Sequence, residues 1–351
     1  MHVVVSGWFW GQPNTGSGQY LHRLLPHLAA LNVPARERNA ADNPGRRQPP
    51  DPDQSAYYQK QARYTLLLPG PPVEGEQLNA LAAYPSQLTA VVAPPPPLPR
   101  QLAKLYWEQL TVPRRARSLG ADLLFVPYWA APLWQPAPTV VTIHDLIPLL
   151  LPPYRGGWTN RFYTTLVSTS ARRCSAILTV SEASKRDIVR HLGLPDERVT
   201  PVYHGPNRED NSARRSEVDT ALSRNRQVAR KYVLPERYFL YLGGFDVRKN
   251  LLGIVRAYRR YLDLGGDPAV KLVVAGKPPQ TDTPFFPDPQ QVVRQLELTD
   301  YVRFIGWVDE GDKEPLFAGA TAFLFPSLYE GFGMMLLEAM DAGSPVITSL
   351  E

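Results

Sequence analysis

The 351-residue chain contains 44% hydrophobic and 20% charged residues, which is typical of a globular protein, and its length favours two domains over one. Its net charge is +5, but the sequence contains no run of five like charges, so nucleic acid is not the expected partner. The basic balance permits loose docking on an anionic membrane surface. Cys174 is the single cysteine, which excludes an intrachain disulfide and a cysteine-based metal cage.

The chain begins with an apolar run that we predict to be a buried strand, because the basic region and cleavage site of a signal peptide are missing. No later stretch approaches the roughly 18–20 apolar residues of a membrane span, so we expect a cytoplasmic protein. The predicted strands of the first half are His2–Val5, Tyr64–Leu68, Leu123–Val126, Thr139–Ile143, Ala176–Val180 and Val199–Val202. The predicted helices between them are Gln19–Leu31, Arg100–Arg117, Asn160–Arg173 and Glu182–Leu192.

The segment His204–Arg237 changes character, with a polar stretch at Asn207–Arg215 and a charged helix at Ser216–Tyr232. We place the domain connection here and predict a first domain at 1–205, a linker at 206–236 and a second domain at 237–351. The predicted strands of the second domain are Tyr238–Leu242, Lys271–Ala275, Val302–Ile305, Ala322–Phe325 and Pro345–Thr348. Its predicted helices are Leu251–Leu262, Pro289–Leu296, Glu314–Gly319 and Met334–Ala342.

This alternation of short apolar runs and helical patterns is typical of parallel sheets that are covered on both faces. We therefore predict an α/β fold of two Rossmann-like domains. In such sheets ligands bind at the carboxyl ends of the strands, so the residues that follow each strand are the candidates for function.

The richest of these segments runs from Phe325 to Glu338, where a strand ends, Gly331 and Gly333 follow and a helix begins. Backbone N–H groups of Gly331, Phe332 and Gly333 at the helix start would suit a diphosphate. Glu338 lies about one and a half turns into the helix, where it could accept hydrogen bonds from the vicinal hydroxyls of a ribose. By spacing alone, a turn with two solvated glutamates is an equal alternative.

Glu330 and Glu338, within Pro-Ser-Leu-Tyr-Glu-Gly-Phe-Gly and before Glu-Ala-Met-Asp-Ala-Gly-Ser-Pro-Val, resemble the hallmark of glycosyltransferase family 4. The resemblance extends over nearly the whole chain. It implies the GT-B fold, in which two Rossmann-like domains face each other across a cleft, and sugar transfer with retention of configuration. It also implies that Glu330 lies near the donor sugar and that Glu338 binds the ribose.

A second strand end, Tyr241–Asn250, contains Gly243, Gly244, Arg248 and Lys249 before a helix. Cations are unfavourable at a helix N-terminus unless an anion is bound, so these two could neutralise a leaving diphosphate. A basic turn in solvent is the alternative. The segment resembles the family's lysine motif, and Lys249 takes the lysine position. Many members carry an arginine where this chain has Gly244, so Arg248 compensates or Lys249 acts alone.

A third strand end carries His144 and Asp145. A histidine in this place is more often a packed residue, but His-Asp-Leu resembles the family segment whose histidine contacts the donor sugar. The resemblance implies a sugar-positioning role for His144, whose backbone carbonyl could face the anomeric carbon. Asp145 is expected to be a helix cap or a structural acceptor.

The glycine-rich loop Gly11–Gly18 follows the first strand, and Asp42 lies farther along the chain. Alone it could bind a dinucleotide, but Leu21 takes the place of the last glycine of that fingerprint. In the resembling family this loop lies between acceptor and donor phosphate, so Gly16, Ser17 and Gly18 are the candidate acceptor and phosphate loop.

Ser181, in a segment that resembles the family's Val-Ser-Glu-x-Ser, is also a plausible N-cap. The Asp51-Pro-Asp53 triplet matches a metal-binding pattern of another glycosyltransferase fold, but it lies in a proline-rich loop and is interpreted as coincidence. We predict no metal and no cofactor.

The sequence hypothesis is a retaining, metal-independent hexosyltransferase that uses a nucleoside diphosphate sugar. Similarity to mannosyltransferases of surface polysaccharide assembly favours mannose, and the acceptor is expected to be a glycan or a lipid-linked glycan, reached by peripheral contact with the inner face of the membrane. A non-catalytic sugar-nucleotide-binding protein of the same fold is the alternative, because the last domain ends one strand after its main motif. A nicotinamide-dependent enzyme that binds at Gly16–Gly18 is a third.

Overall fold

The computed structural model describes residues 1–13, 15–31, 62–71, 87–205 and 218–349. These residues form two compact units, Met1–Val202 and Tyr203–Glu351. Asp42, the Asp51-Pro-Asp53 triplet and the polar stretch Asn207–Arg215 lie outside the described residues.

The first unit is built on a parallel sheet of seven strands in the order β3-β2-β1-β4-β5-β6-β7. The strands are β1 (His2–Ser6), β2 (Arg63–Leu68), β3 (Leu88–Val92), β4 (Leu123–Val126), β5 (Thr139–Thr142), β6 (Ala176–Thr179) and β7 (Val199–Pro201). The strand order reverses between β1 and β4, so their carboxyl ends mark the switch point at which α/β sheets bind ligands.

Helices cover both faces of this sheet. They are α1 (Gly16–Leu31), α2 (Arg100–Tyr106), α3 (Val112–Ser118), α4 (Ile147–Leu150), α5 (Trp158–Ala171) and α6 (Glu182–Leu192). A π-helical turn, Trp107–Thr111, joins α2 to α3, so the single helix predicted at Arg100–Arg117 contains a widened turn.

Strand β1 shows why the sequence alternation forms two layers. All five of its residues are buried, and Val4 packs into one core cluster while Val3 and Val5 pack into another. Successive side chains of a strand point to opposite faces, so one apolar run supplies both cores.

The second unit has a five-stranded parallel sheet in the order β10-β9-β8-β11-β12, with a switch point between β8 and β11. Its strands are β8 (Arg237–Leu242), β9 (Val270–Ala275), β10 (Val302–Gly306), β11 (Ala322–Phe325) and β12 (Val346–Thr348). Its helices are α7 (Val218–Lys231), α8 (Leu251–Asp263), α9 (Pro289–Gln295), α10 (Lys313–Ala318) and α11 (Met334–Asp341).

The charged helix α7, which the sequence analysis assigned to a linker, packs on the second unit. Val228 of this helix and Tyr232, the residue directly after the helix, are buried in that unit's core. Lys231 forms salt bridges of 2.7 Å to Asp309 and 2.5 Å to Asp312. The division of the chain therefore falls before this helix, at Val202.

The predicted α/β class with two Rossmann-like units is confirmed. The predicted elements reappear with ends shifted by a few residues, and Ser181 caps α6 by accepting a hydrogen bond of 3.1 Å from the backbone N–H of Ser184, as expected. Strand β3 and the short helix α4 were not predicted. Within the described residues, none of the helices combines the length and the apolar character that crossing a membrane requires.

Candidate functional site

The segment between β11 and α11 converts a buried strand into a helix through a left-handed residue. Gly333 has φ 90° and ψ 51°, directly before the first helical residue, Met334. A Cβ atom at this position would lie 3.1 Å from Cδ1 of Leu336. The turn leaves the first backbone N–H groups of α11 without intrahelical acceptors, which is where anions bind.

We expect Gly333→Ala to destabilise the second unit by about 1–3 kcal/mol, because alanine in a left-handed conformation is strained and its Cβ would press on Leu336. Urea unfolding followed by circular dichroism measures the change. Gly205→Ala is the control, since a Cβ there meets no neighbouring atom within 4 Å and the backbone φ is not positive. An equal loss of stability in both variants would contradict the assigned strain.

The loop from Gly243 to Asn250 follows β8 and lies beside the first loop, because β8 and β11 are neighbours in the sheet. Several hydrogen bonds join the loops. The backbone N–H of Leu328 donates to the carbonyl of Arg248 at 2.8 Å, and the side-chain amide of Asn250 donates to the carbonyl of Pro326 at 3.1 Å. The two predicted motifs therefore form one structure at the switch point.

Glu330 is held between the two predicted cations. Its Oε1 lies 2.6 Å from Nζ of Lys249, and its Oε2 lies 2.6 Å from NH1 of Arg248. Arg248 also donates to the carbonyl of Tyr329 at 3.0 Å. Burial alone would raise the pKa of Glu330, but the charges of Lys249 and Arg248 outweigh it, so the pKa lies below its usual value. Glu330 is a carboxylate at neutral pH.

Arg248 also lies 3.5 Å from Asp246, so the cluster contains two cations and two carboxylates, and it adjoins the start of α11. Cations at a helix N-terminus are poorly placed unless an anion joins them. The arrangement therefore suits a phosphorylated ligand that shares Arg248 and Lys249 with Glu330 or displaces it.

Glu338 lies on the second turn of α11, and its carboxylate is 3.8 Å from Nζ of Lys313. The same ammonium lies 2.7 Å from Oε2 of Glu310. Lys313 begins α10, after the turn that follows β10, and sequence reasoning did not identify it. Of the two glutamates in the motif, Glu330 is the one that contacts Lys249. The ribose-binding role of Glu338 stays a prediction.

The other predicted donor-site residues lie along the same two loops. Gly331 is buried, and the ring of Phe332 meets His204 edge-on at 5.1 Å between centroids. Burial lowers the pKa of His204 below its usual value, so this histidine is neutral at pH 7. A Cβ on Gly276, after β9, would collide with the carbonyl of Gly243, so a glycine is required there. Gly244 accepts a hydrogen bond from the Tyr241 hydroxyl through its carbonyl.

His144, in the first unit, follows β5 and is part of a packed cluster. Its Nε2 lies 3.4 Å from the carbonyl of Pro127, and its ring meets Tyr20 edge-on at 4.9 Å. Its own carbonyl, which we expected to face the anomeric carbon, accepts a hydrogen bond of 3.0 Å from the hydroxyl of Ser184. Asp145 is a structural acceptor, as expected, and receives the backbone N–H of Ile147 at 3.0 Å. The sugar-positioning role of His144 stays a prediction.

The predicted phosphate loop is partly helical, because α1 begins at Gly16 and includes Ser17 and Gly18. The Thr15 hydroxyl accepts the backbone N–H of Gly18 at 3.1 Å, so that amide already has a partner. A Cβ on Gly18 would collide with the carbonyl of Gln12, which gives this glycine a packing role. No ligand contact of this loop follows from these observations.

A cluster that sequence reasoning missed lies at the switch point of the first unit. Glu108, on the π-helical turn, is only 1% exposed. Its carboxylate lies 2.9 Å from Nζ of Lys104 and accepts a hydrogen bond of 2.9 Å from Tyr163. The same ammonium lies within 6 Å of the ring centroids of Phe9, Tyr128 and Tyr163. Burial raises the pKa of Glu108, and Lys104 and Tyr163 offset this in part.

Lys104 and Glu108 are four residues apart on a charged helix, a pattern that is usually a solvated surface pair. The sequence signal that could have identified them is the aromatic residues after β1 and β4, which meet because these strands are neighbours. Within the described ranges, no group of three or more His, Cys, Asp or Glu side chains could hold a metal ion. The predicted absence of a metal stays a prediction.

Two family models match successive parts of the chain. Residues 54–210 match "Glycosyltransferase Family 4", and residues 225–350 match "Glycosyl transferases group 1". The second match includes both loops of the cluster around Glu330.

Named relatives are similar over part of their length. O-antigen chain mannosyltransferase B of Escherichia coli is 29% identical over 211 residues, which are 60% of this chain and 52% of the relative. O-antigen chain mannosyltransferase RfbU of Salmonella typhimurium is 27% identical over 209 residues, 60% of this chain and 51% of the relative. The matched region thus spans about half the length of these relatives.

A solved structure with the same fold is that of Anabaena Alr3699/HepE in complex with UDP and glucose. It superposes with a TM-score of 0.59 at 17% identity over 99% of this chain and 80% of that one. At this identity the likeness establishes the fold.

Proposed function

The chain belongs to the family 4 glycosyltransferases of the GT-B fold, and from this membership we propose that it transfers a hexosyl group from a nucleoside diphosphate sugar to a glycan or lipid-linked acceptor. The observation that carries the proposal is the cluster in which Lys249 and Arg248 both contact Glu330 at the switch point of the second unit.

The cluster supports a diphosphate site for a physical reason. Two cations at a helix N-terminus are stabilised when an anion binds between them and the backbone N–H groups of the helix. In the proposed complex the diphosphate contacts Lys249, Arg248 and the amides of Gly331–Gly333. Gly243 and Gly244 border it from the adjacent loop.

Glu338 is proposed to bind the ribose, because a carboxylate on the second turn of α11 can accept hydrogen bonds from both vicinal hydroxyls. The ammonium of its neighbour Lys313 lies 3.8 Å from the carboxylate. Glu330 is proposed to face the sugar once the diphosphate has drawn Lys249 and Arg248 away from it.

The proposed reaction retains configuration. The bond between the anomeric carbon and the phosphate oxygen breaks, and its electron pair passes to that oxygen. The acceptor hydroxyl forms the new bond on the same face and gives its proton to the departing phosphate. Arg248 and Lys249 compensate the charge that develops on the diphosphate, so this scheme requires no metal ion. It also requires no enzymic nucleophile.

The donor is proposed to be GDP-mannose, because both named relatives are mannosyltransferases. UDP-glucose is the competing donor, since HepE was solved with UDP and glucose. Transfer and hydrolysis measured with a panel of UDP- and GDP-sugars distinguish the two. Tight nucleotide binding without transfer of any sugar would favour the non-catalytic alternative.

We expect Glu338→Gln to raise the KM for the donor about 10- to 100-fold, because a hydrogen bond to a charged group contributes about 1.5–3 kcal/mol. Glu310→Gln is the matched control, since Glu310 contacts the same Lys313 but its side chain is 61% exposed. Equal KM values for the two variants would contradict the ribose assignment.

A further inference from the structure

Two large aromatic side chains at the start of α5 are exposed to solvent. Trp158 is 80% exposed and Phe162 is 59% exposed. They are four residues apart, so they lie on the same side of the helix. Leaving two such side chains in water forfeits the stabilisation that burial would give, so this surface is suited to a partner.

The chain around these aromatics is apolar and basic. In the preceding segment, the prolines at 152 and 153 are exposed and no residue of α4 is fully buried. From Leu146 to Ser181 the sequence contains four arginines and neither aspartate nor glutamate. Arg155 and Arg161, next to the aromatics, are exposed, and neither forms a salt bridge with a described residue.

The turn before α5 fixes the geometry of this surface. Gly156 has φ 59°, and Gly157 directly precedes the helix. Trp158 is therefore the first residue of α5. Arg155 donates to the carbonyl of Leu149 at 3.2 Å, which ties the turn back to α4. Trp158 and Phe162 therefore project from a folded support, with Arg155 and Arg161 beside them.

We propose that this surface, formed by Arg155, Trp158, Arg161 and Phe162, docks the protein on an anionic lipid bilayer. Tryptophan and phenylalanine partition into the interface between headgroups and acyl chains, and arginines are attracted to the negative surface potential of anionic lipids. A partner that binds this surface by charge must be acidic, because the 36 residues from Leu146 to Ser181 contain arginines and no carboxylate side chain. Docking places the enzyme where a lipid-linked acceptor lies. The inference goes beyond the proposed function, and vesicle binding is measured without any transfer reaction.

The test is co-sedimentation of the whole protein with vesicles of phosphatidylcholine containing phosphatidylglycerol, compared with vesicles of phosphatidylcholine alone. We expect binding to the anionic vesicles that weakens as salt increases. The double variant Trp158→Ser/Phe162→Ser should bind at least roughly tenfold more weakly, because its interfacial anchors are removed. Arg155→Gln/Arg161→Gln should bind more weakly and with a smaller salt dependence.

Trp307→Ser is the matched control. Trp307 is 69% exposed, but it precedes the acidic Asp309 and Glu310 in the second unit, so its loss should leave vesicle binding unchanged. Binding that is equal on both lipid compositions, or unchanged in the aromatic double variant, would overturn the proposal. No binding by the unsubstituted protein would also overturn it and would favour a protein partner for this surface. Loss of transfer with intact vesicle binding would count against the proposed function alone.

Discussion

Replacing Lys249 with methionine should weaken the binding of UDP or GDP about 10- to 100-fold, whereas replacing Glu330 with glutamine should strengthen it. Lys249 and Arg248 are the two cations of the cluster, and Glu330 neutralises part of their charge at 2.6 Å from each. A charge-assisted bond to phosphate contributes about 1.5–3 kcal/mol, and every 1.4 kcal/mol is a factor of ten in affinity. Glu330→Gln removes the negative charge that competes with the diphosphate for these cations. Nucleotide affinity should therefore rise in this variant, whereas it falls in Lys249→Met.

Isothermal titration with the nucleoside diphosphate measures both changes without an acceptor. Transfer should fall in both variants, because Lys249 is proposed to hold the leaving group and Glu330 to face the sugar. The informative result is that Glu330→Gln should bind the nucleotide more tightly and yet transfer the sugar more slowly. It separates a carboxylate that acts on the sugar from one that only supports the fold.

Lys231→Met provides the control for Lys249→Met. Lys231 belongs to the same unit and, like Lys249, is paired with carboxylates, at 2.7 Å from Asp309 and 2.5 Å from Asp312. Its contacts among the described residues are with Asp309, Asp312 and the ring of Tyr232 and not with either loop, so nucleotide affinity should not change. If Lys231→Met weakened nucleotide binding as much as Lys249→Met, or if Glu330→Gln weakened it, the proposed anion site would be wrong.

The two loops of this second-unit cluster could be predicted from the sequence because each of them is local, whereas their nucleotide-binding role stays a prediction. The Glu330 loop and the Lys249 loop each follow an apolar strand, and each carries its own glycines and charges. Only the adjacency of β8 and β11 was needed to bring them together. The partnership of Lys313 with Glu338 was not predicted, because it joins a third loop through a contact that no strand pattern specifies.

The first unit shows the opposite case. Lys104 and Glu108 have the spacing of a surface ion pair, and the apolar residues between them do not show that the pair itself is buried. Their burial depends on Tyr163, which is 55 residues beyond Glu108. Strand β3 was missed for a related reason, since it lies at the sheet edge with most of its residues exposed and lacks the apolar run of a buried strand.

Lys104→Met should destabilise the first unit by about 3–5 kcal/mol at pH 8 and by much less at pH 5. The carboxylate of Glu108 is almost fully buried, and removing its cationic partner leaves an uncompensated charge. Burial already raises the pKa of Glu108, and loss of Lys104 raises it further. The folded state then binds a proton over a range of pH in which the unfolded chain has released it, so stability falls as the pH rises through that range.

Urea unfolding followed by tryptophan fluorescence measures this change in the correct unit, because six of the seven tryptophans lie within Met1–Val202. Adding Glu108→Gln to Lys104→Met should recover stability at pH 8 and remove the added pH dependence, since no buried charge is left. Arg259→Met is the matched comparison. Arg259 and Asp263 have the same four-residue spacing, but their side chains are 36% and 41% exposed, so we expect little loss of stability. A loss at position 104 that did not vary with pH would show that packing of the lysine stem, rather than its charge, stabilises this switch point.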